Sequence, residues 1–279
     1  MGQVAFWGSA HGQVATTANV IASATIIGLE YSLRTLVAHT HWSRSTLEAA
    51  FLKHAAHREE SLFDFSDTGI DALERLARSG RLSPEIIQDY TKPILKDRLD
   101  LLSGTTKPDE EMFASIHEVI PGIFATANRF YNLSLIDVNS GHQNTLTKAV
   151  LGSSDLIVVN LNQNISLLER FFSKEDWPDV LNEKPFIIVL GQYDAESKYT
   201  ATNIARRFRY KGPIYTVPYC TGFMDACNDR NVLDFFLRNR YVAKGHENYA
   251  FIQEVSKLGK AILEHLKIDV DAALEEGIL

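Results

Sequence analysis

Val4-Ala5-Phe6-Trp7, followed by Gly8-Ser9-Ala10-His11-Gly12-Gln13-Val14-Ala15-Thr16-Thr17, is the stretch that decides how this chain is read. The first four residues are apolar and bulky and read as a short buried strand. The next ten are small or polar, and a helical run opens at about Thr17 with Ala18-Asn19-Val20-Ile21-Ala22-Ser23-Ala24. A strand, a loop of small residues and a hydroxyl at a helix start outline a phosphate cradle. Loop N–H groups point inward, and the helix N-terminus carries partial positive charge. The phosphate-loop motif also requires a lysine just before the hydroxyl residue, and here that position is Thr16.

Working outward, residues 17–29 are apolar nearly all round and predict a helix packed on a sheet. Residues 33–40 predict a second strand, and after Ser45 a helix runs to about His57. The middle, about 66–131, reads as helical and polar. Ser83-Pro84-Glu85 is a helix start there, 99–103 a brief strand, and 108–127 a helical stretch bent or interrupted at Pro121-Gly122. Further strands are expected at Leu133–Asp137, 155–161, 185–190 and 214–217, alternating with helices at 166–172, 200–208, 234–240 and 249–266. Alternation of this kind implies βα units and right-handed crossovers. The fold expected is α/β: a mostly parallel, doubly wound sheet flanked by helices, like that of P-loop NTPases. No internal repeat, low-complexity segment or linker interrupts it, so residues 1–279 are expected to form one domain.

Composition narrows the functional classes. The chain has 279 residues, is 45% hydrophobic and 23% charged, and carries a formal net charge of −7. That length can bury a sizeable core, and the acidic balance argues against wrapping nucleic acid over a broad surface. Cys220 and Cys227 lack metal-ligand or redox spacing and read as reduced residues of a cytosolic protein. No signal peptide and no membrane-length apolar run is visible. The expected location is therefore cytoplasmic.

In an open parallel sheet, ligands sit beyond the carboxyl ends of the strands. Segments 8–17, 39–43, 137–141 and 191–194 reach that edge, and Pro218-Tyr219 follows the last strand. The order of these segments resembles the deviant Walker A ATPases of the ParA/MinD family over nearly the whole chain. Within that family the layout is most similar to the TadZ/CpaE group, which helps place type IV pilus assembly machinery. The family loop, Lys-Gly-Gly-Val-Gly-Lys-Thr-Thr, aligns without a gap on His11-Gly12-Gln13-Val14-Ala15-Thr16-Thr17-Ala18. Further matches are the strand ending Leu-Ile-Asp137 with its turn to Gly141, and Val217-Pro218-Tyr219 with the later Asn231-Val232-Leu233-Asp234-Phe235. The resemblance implies ATP or ADP with Mg²⁺. It places the nucleotide on residues 11–18, Mg²⁺ at Thr17 and Asp137, a switch loop from Asp137 to Gly141, and the adenine between Gln192 and Pro218-Tyr219. It also implies a homodimer that organises a larger pilus or secretion machine.

The departures are equally specific. The family's signature lysine falls on His11 and its phosphate lysine on Thr16. The acids that end its second strand fall on His39 and His41. Phosphoryl transfer depends on positioning and charge neutralisation, and a single catalytic arginine is assigned on the order of 10³–10⁵ in rate. Weak or absent hydrolysis follows, and no catalytic residue is assigned. Gln13 and Ala15 stand where the family has glycines. A Cβ at φ > 0 costs about 1 kcal/mol or more.

Plainer readings stand beside these. Thr16 and Thr17 are ordinary helix-capping residues, and Asp137 could cap its own turn. The chain would then be a structural interaction protein that keeps the fold without a nucleotide. His39-x-His41 and His54-x-x-His57 have spacings that can ligate zinc, as in a metal-dependent enzyme. His11 could assist phosphate binding when protonated. Arg206, Arg207, Arg209 and Lys211 make a basic patch that also suits a helix C-terminus. The last helix carries Ile252, Val255, Leu258, Ile262 and Leu266 at core-packing spacing.

Overall fold

The computed structural model describes residues 1–42, 45–52, 68–107, 110–114, 116–141 and 143–269. In chain order these form β1 (Gly2–Gly8), α1 (Thr16–Glu30), β2 (Thr35–His39), α2 (Thr46–Phe51), α3 (Gly69–Arg78), α4 (Pro84–Ile87), β3 (Lys92–Leu95), β4 (Leu99–Leu101), α5 (Glu110–Ala114) and α6 (Ile120–Ala127). Then come β5 (Leu133–Asp137), α7 (Thr145–Ser153), β6 (Leu156–Leu161), α8 (Ile165–Phe172), β7 (Phe186–Tyr193), α9 (Ala201–Phe208), β8 (Ile214–Pro218), α10 (Thr221–Asn228), α11 (Val232–Asn239) and α12 (Tyr249–His265). The eight strands form one sheet in the order β3-β4-β2-β5-β1-β6-β7-β8. Every neighbouring pair is parallel except β3 with β4. The expected doubly wound sheet flanked by helices is therefore present.

Strand side chains alternate between two apolar layers, as the pleat requires. Val4, Phe6, Leu133, Leu135, Leu156, Val158, Ile187 and Val189 join α1, α2, α10, α11 and α12 on one face. Ala5, Trp7, Ile136, Ile157, Val159 and Ile188 meet α3, α6, α7 and α8 on the other. The central strands are buried on both faces, which is why they read as unbroken apolar runs.

Several boundaries differ from the sequence reading. The 66–131 region was expected to be helical apart from one strand, but it contains β3 as well. Lys92-Pro93-Ile94-Leu95 is only half-buried, and its register slips near Pro93, so it carries no alternation to read. Pro121 does not bend a long helix. It lies in the first turn of α6, where a missing N–H costs nothing. The helix expected to reach His57 ends at Phe51 among the described residues. The stretch 53–67, with His54 and His57, lies outside them. Arg207 pairs with Glu169 at 2.9 Å, and Arg206, Arg209 and Lys211 are exposed around the end of α9. No helix among the described residues is long and apolar enough to cross a membrane.

Candidate functional site

The alternation that builds the core also builds the site. On the face covered by α1, the apolar positions of five neighbouring strands run out at the carboxyl edge. Across β2, β5, β1, β6 and β7 the next residue on that face is His39, Asp137, Gly8, Asn160 and Gly191. Three of these carry polar side chains and two carry none, and the loop leading into α1 settles onto that row.

The glycines are required by close approach. A Cβ on Gly8 would lie 2.4 Å from Val14 Cγ2 and 2.9 Å from Thr16 Oγ1. One on Gly191 would lie 2.7 Å from the Val14 carbonyl oxygen. Asn160 is fully buried. Its Oδ1 accepts from Asn19 Nδ2 at 2.8 Å, while its Nδ2 donates to the carbonyls of Trp7 and Val158. Asn162 Nδ2 donates to the Gln13 carbonyl at 2.9 Å. Trp7 Nε1 donates to the Gly141 carbonyl at 2.7 Å and ties the turn after β5 to the end of β1. None of these contacts was anticipated. The available signal was one asparagine interrupting an apolar strand and another inside an apolar helix.

Of the two residues replacing glycines, Ala15 carries the strain. It is left-handed at φ 56°, as is Gly12 at φ 68°, whereas Gln13 has an ordinary φ. Ala15 is the N-cap of α1 and makes no side-chain cap bond, so Thr16 and Thr17 are the first helical residues and not its caps. The Thr17 hydroxyl instead donates to Asp137 Oδ2 at 2.7 Å. Asp137 is fully buried, and its Oδ1 has no hydrogen-bond partner among the described residues. His41 Nε2 stands 3.3 Å from Oδ2, close enough for charge attraction but without hydrogen-bond geometry.

The structure separates the histidine that ends β2 from the one two residues beyond it. His41 faces Asp137, whereas His39 Nε2 lies 2.8 Å from Glu48 Oε1 on α2. His39 Nδ1 accepts the His41 backbone N–H, which fixes the ring proton on Nε2, donating to Glu48. Burial pushes the Glu48 carboxyl up, but the hydrogen bonds from His39 and the Gly104 N–H, with the charge of Lys92, hold it below its ordinary value. Gly104 must be glycine here, because a Cβ would lie 2.4 Å from His39 Cε1. No group of three or more His, Cys, Asp or Glu residues among those described can hold a metal ion, so the zinc reading gains nothing from His39 and His41.

A cavity of about 400 Å³ is lined by His11, Gly12 and residues 14–18 on the loop side, with His41, Asp137, Ser140, Gln192 and Met224 around them. Among its described lining residues there is no lysine or arginine. Gln192 reaches it with a left-handed backbone, φ 49°. Gln192, Pro218 and Tyr219 do converge, with Phe223, Met224 and Phe251, around a space of about 20 Å³. That holds about one water molecule and not a purine ring. Tyr219 is 58% exposed. Both cysteines are free; Cys220 lines the same small space as Tyr219, and burial pushes its thiol up and that of Cys227 to about 12.

The residues fit a magnesium nucleotide in one respect and not in another. A buried carboxylate oxygen without a partner, beside a hydroxyl, suits the water shell of a hard divalent cation. Thr17 and Asp137 would hold it, and the ion would neutralise phosphate charge there. Open space around Gly12, where an added Cβ meets nothing within 4 Å, leaves the loop accessible. Among the described lining residues fixed positive charge for the phosphates is lacking, since the only basic side chains there are those of His11 and His41.

A mostly parallel sheet with a glycine-supported loop between its first strand and first helix defines a P-loop NTPase fold, and known structures agree. A ParA family ATPase from Chlorobium tepidum superposes with a TM-score of 0.70 at 14% identity, covering 93% of this chain and 97% of that one. The septum site-determining protein MinD of Pyrococcus horikoshii, complexed with Mg-ADP, gives 0.66 at 15% identity, covering 94% and 96%. The MinC:MinD cell division complex of Aquifex aeolicus gives 0.61 at 14% identity, covering 94% and 96%. No protein-family model and no curated protein sequence matches the chain. At these identities the likeness shows the fold, which is that of the ParA and MinD ATPases.

Proposed function

We propose that the chain is a single ParA/MinD-type domain that binds ATP or ADP with Mg²⁺ and hydrolyses it weakly or not at all. It acts as a dimeric organiser in the cytoplasm, recruited to its site through a partner. The TadZ/CpaE-like layout suggests that it serves a pilus or secretion assembly. The observation that carries this reading is the Thr17–Asp137 pair with its spare buried oxygen. It keeps the metal-holding half of the site, while His11, Thr16, His39 and His41 replace the groups that hydrolysis requires. The Mg-ADP complex of MinD and its pairing with MinC give this reading relatives of the same fold. The base would rest against the exposed Tyr219 ring.

Calorimetric titration with ATP tests the proposal, with and without Mg²⁺, on the wild type and Thr17→Ala. Magnesium-dependent binding that weakens at least tenfold in the variant is expected. No binding at millimolar nucleotide removes the ligand from the proposal. The second reading then stands, that of a nucleotide-free interaction protein. It is favoured by a loop and helix start already held by Asn162, Asn160 and Asp137.

A further inference from the structure

We propose that the cavity between α2, the turn after β4 and the end of α10 is a second binding site, for a small organic anion with a flat apolar body. The cavity encloses about 800 Å³, within the roughly 300–1,000 Å³ of small-molecule clefts. It is distinct from the loop cavity: of the described residues only Ser45 lines both. Its walls combine Trp42, Ala49 and Leu52 with Lys107, Arg230 and Glu48.

Arg230 points to the charge of the ligand. It is half-buried, and its guanidinium has no hydrogen-bond or ion-pair partner among the described residues. Its backbone is fixed at φ 59° by bonds from its own N–H to Cys227 and from the Asn231 N–H to Ala226. A half-buried cation without a partner gives up hydration for nothing, and an anion in the cavity supplies the missing interaction. Lys107 adds less, because Glu74 already holds it at 2.8 Å. The one carboxylate in the described wall is turned to other work, since Glu48 Oε1 accepts from both His39 Nε2 and the Gly104 N–H. Its Oε2 remains for a donor on the ligand. Trp42, 36% exposed, offers a flat face for an aromatic body.

The test uses 8-anilinonaphthalene-1-sulfonate, an aromatic sulfonate with one N–H donor, as the probe on the folded protein. Fluorescence titration should give saturable binding with one site per chain. Arg230→Asn, which keeps a residue tolerant of the left-handed backbone, should weaken it at least tenfold, and Trp42→Ala several-fold. Arg238→Ala on the exposed face of α11 should leave it unchanged. Thr17→Ala should also leave probe affinity unchanged, so that failure at the loop and failure here are told apart. If Arg230→Asn fails to fold by circular dichroism, Arg230→Lys is read instead, with a roughly threefold loss. Absence of binding up to millimolar probe overturns the proposal. So does equal affinity in the Arg230 and Trp42 variants, or displacement by ATP with loss in Thr17→Ala.

Discussion

Two halves of one sheet edge face each other across the loop cavity, and they are built differently. On the β1–β5 side, Thr17 and Asp137 make a short bond at a buried carboxylate, beneath a loop that Gly8 and Gly191 let approach and that Asn162 holds at the Gln13 carbonyl. On the β2 side, one histidine ends the strand and a second follows two residues on. One is drawn away to Glu48 and Gly104, and the other stands against Asp137. The first half pairs a hydroxyl with a buried carboxylate whose second oxygen has no hydrogen-bond partner among the described residues. The second half is knitted into α2 and the turn after β4, and presents no acid of its own to the cavity. On the proposed reading, the holding of a ligand and the chemistry done on it would occupy separate strands, so that one could change while the other stays.

The largest effect should come from the floor that both halves share. Asn160→Leu strips the Asn19 amide and the Trp7 carbonyl of partners inside the core, and should cost about 3 kcal/mol in urea unfolding. Next come the two glycines, one on each side. Gly8→Ala and Gly104→Ala should each cost about 2 kcal/mol from overpacking. Only Gly8→Ala should also lower magnesium-nucleotide affinity in calorimetry. Equal loss of affinity in both would break the contrast between the halves. Thr17→Val removes a bond to a buried carboxylate at nearly constant shape, and should cost about 1.5 kcal/mol in the same unfolding assay.

The smallest effect is a baseline away from both halves. Burial raises the Asp100 carboxyl on β4, the Tyr131 hydroxyl opposes the rise, and the charge of Asp97 adds to it. A folded pKa above the unfolded one gives stability that is complete below the unfolded value and is lost as pH rises through the folded one. Asp100→Asn keeps an acceptor for Tyr131 Oη, which lies 2.8 Å from Oδ2. It should melt higher than wild type at pH 7, by less than about 1 kcal/mol after solvent screening. The difference should vanish below about pH 4, with magnesium dependence unchanged.

How much of this could be read from the chain varied with the range of the signal. Leu133–Asp137 was delimited residue for residue, because a doubly buried strand announces itself through composition. The strand β3 was missed, since a short half-exposed segment with a proline has no such signature. Thr17 and Asp137 were found through their positions at a helix start and a strand end. Asn160, Asn19 and Trp7 were not, because their meaning lies in partners far along the chain. His39 and His41 were read together as neighbours, while the register sends them to different carboxylates.

The placement of β1 between β5 and β6 also bears on how the chain is made. Gly2 pairs with Leu133, and Val4 with Leu156, so the first strand of the sheet to be synthesised has no strand partner until nearly half of the sequence has followed it. Contacts of such long range slow folding. Val4, Phe6 and Trp7, apolar and later fully buried, stay exposed throughout that wait. A nascent chain arrested before Leu133 should therefore be protease-sensitive within β1 and engaged by holding chaperones, and one extended past Leu161 should not.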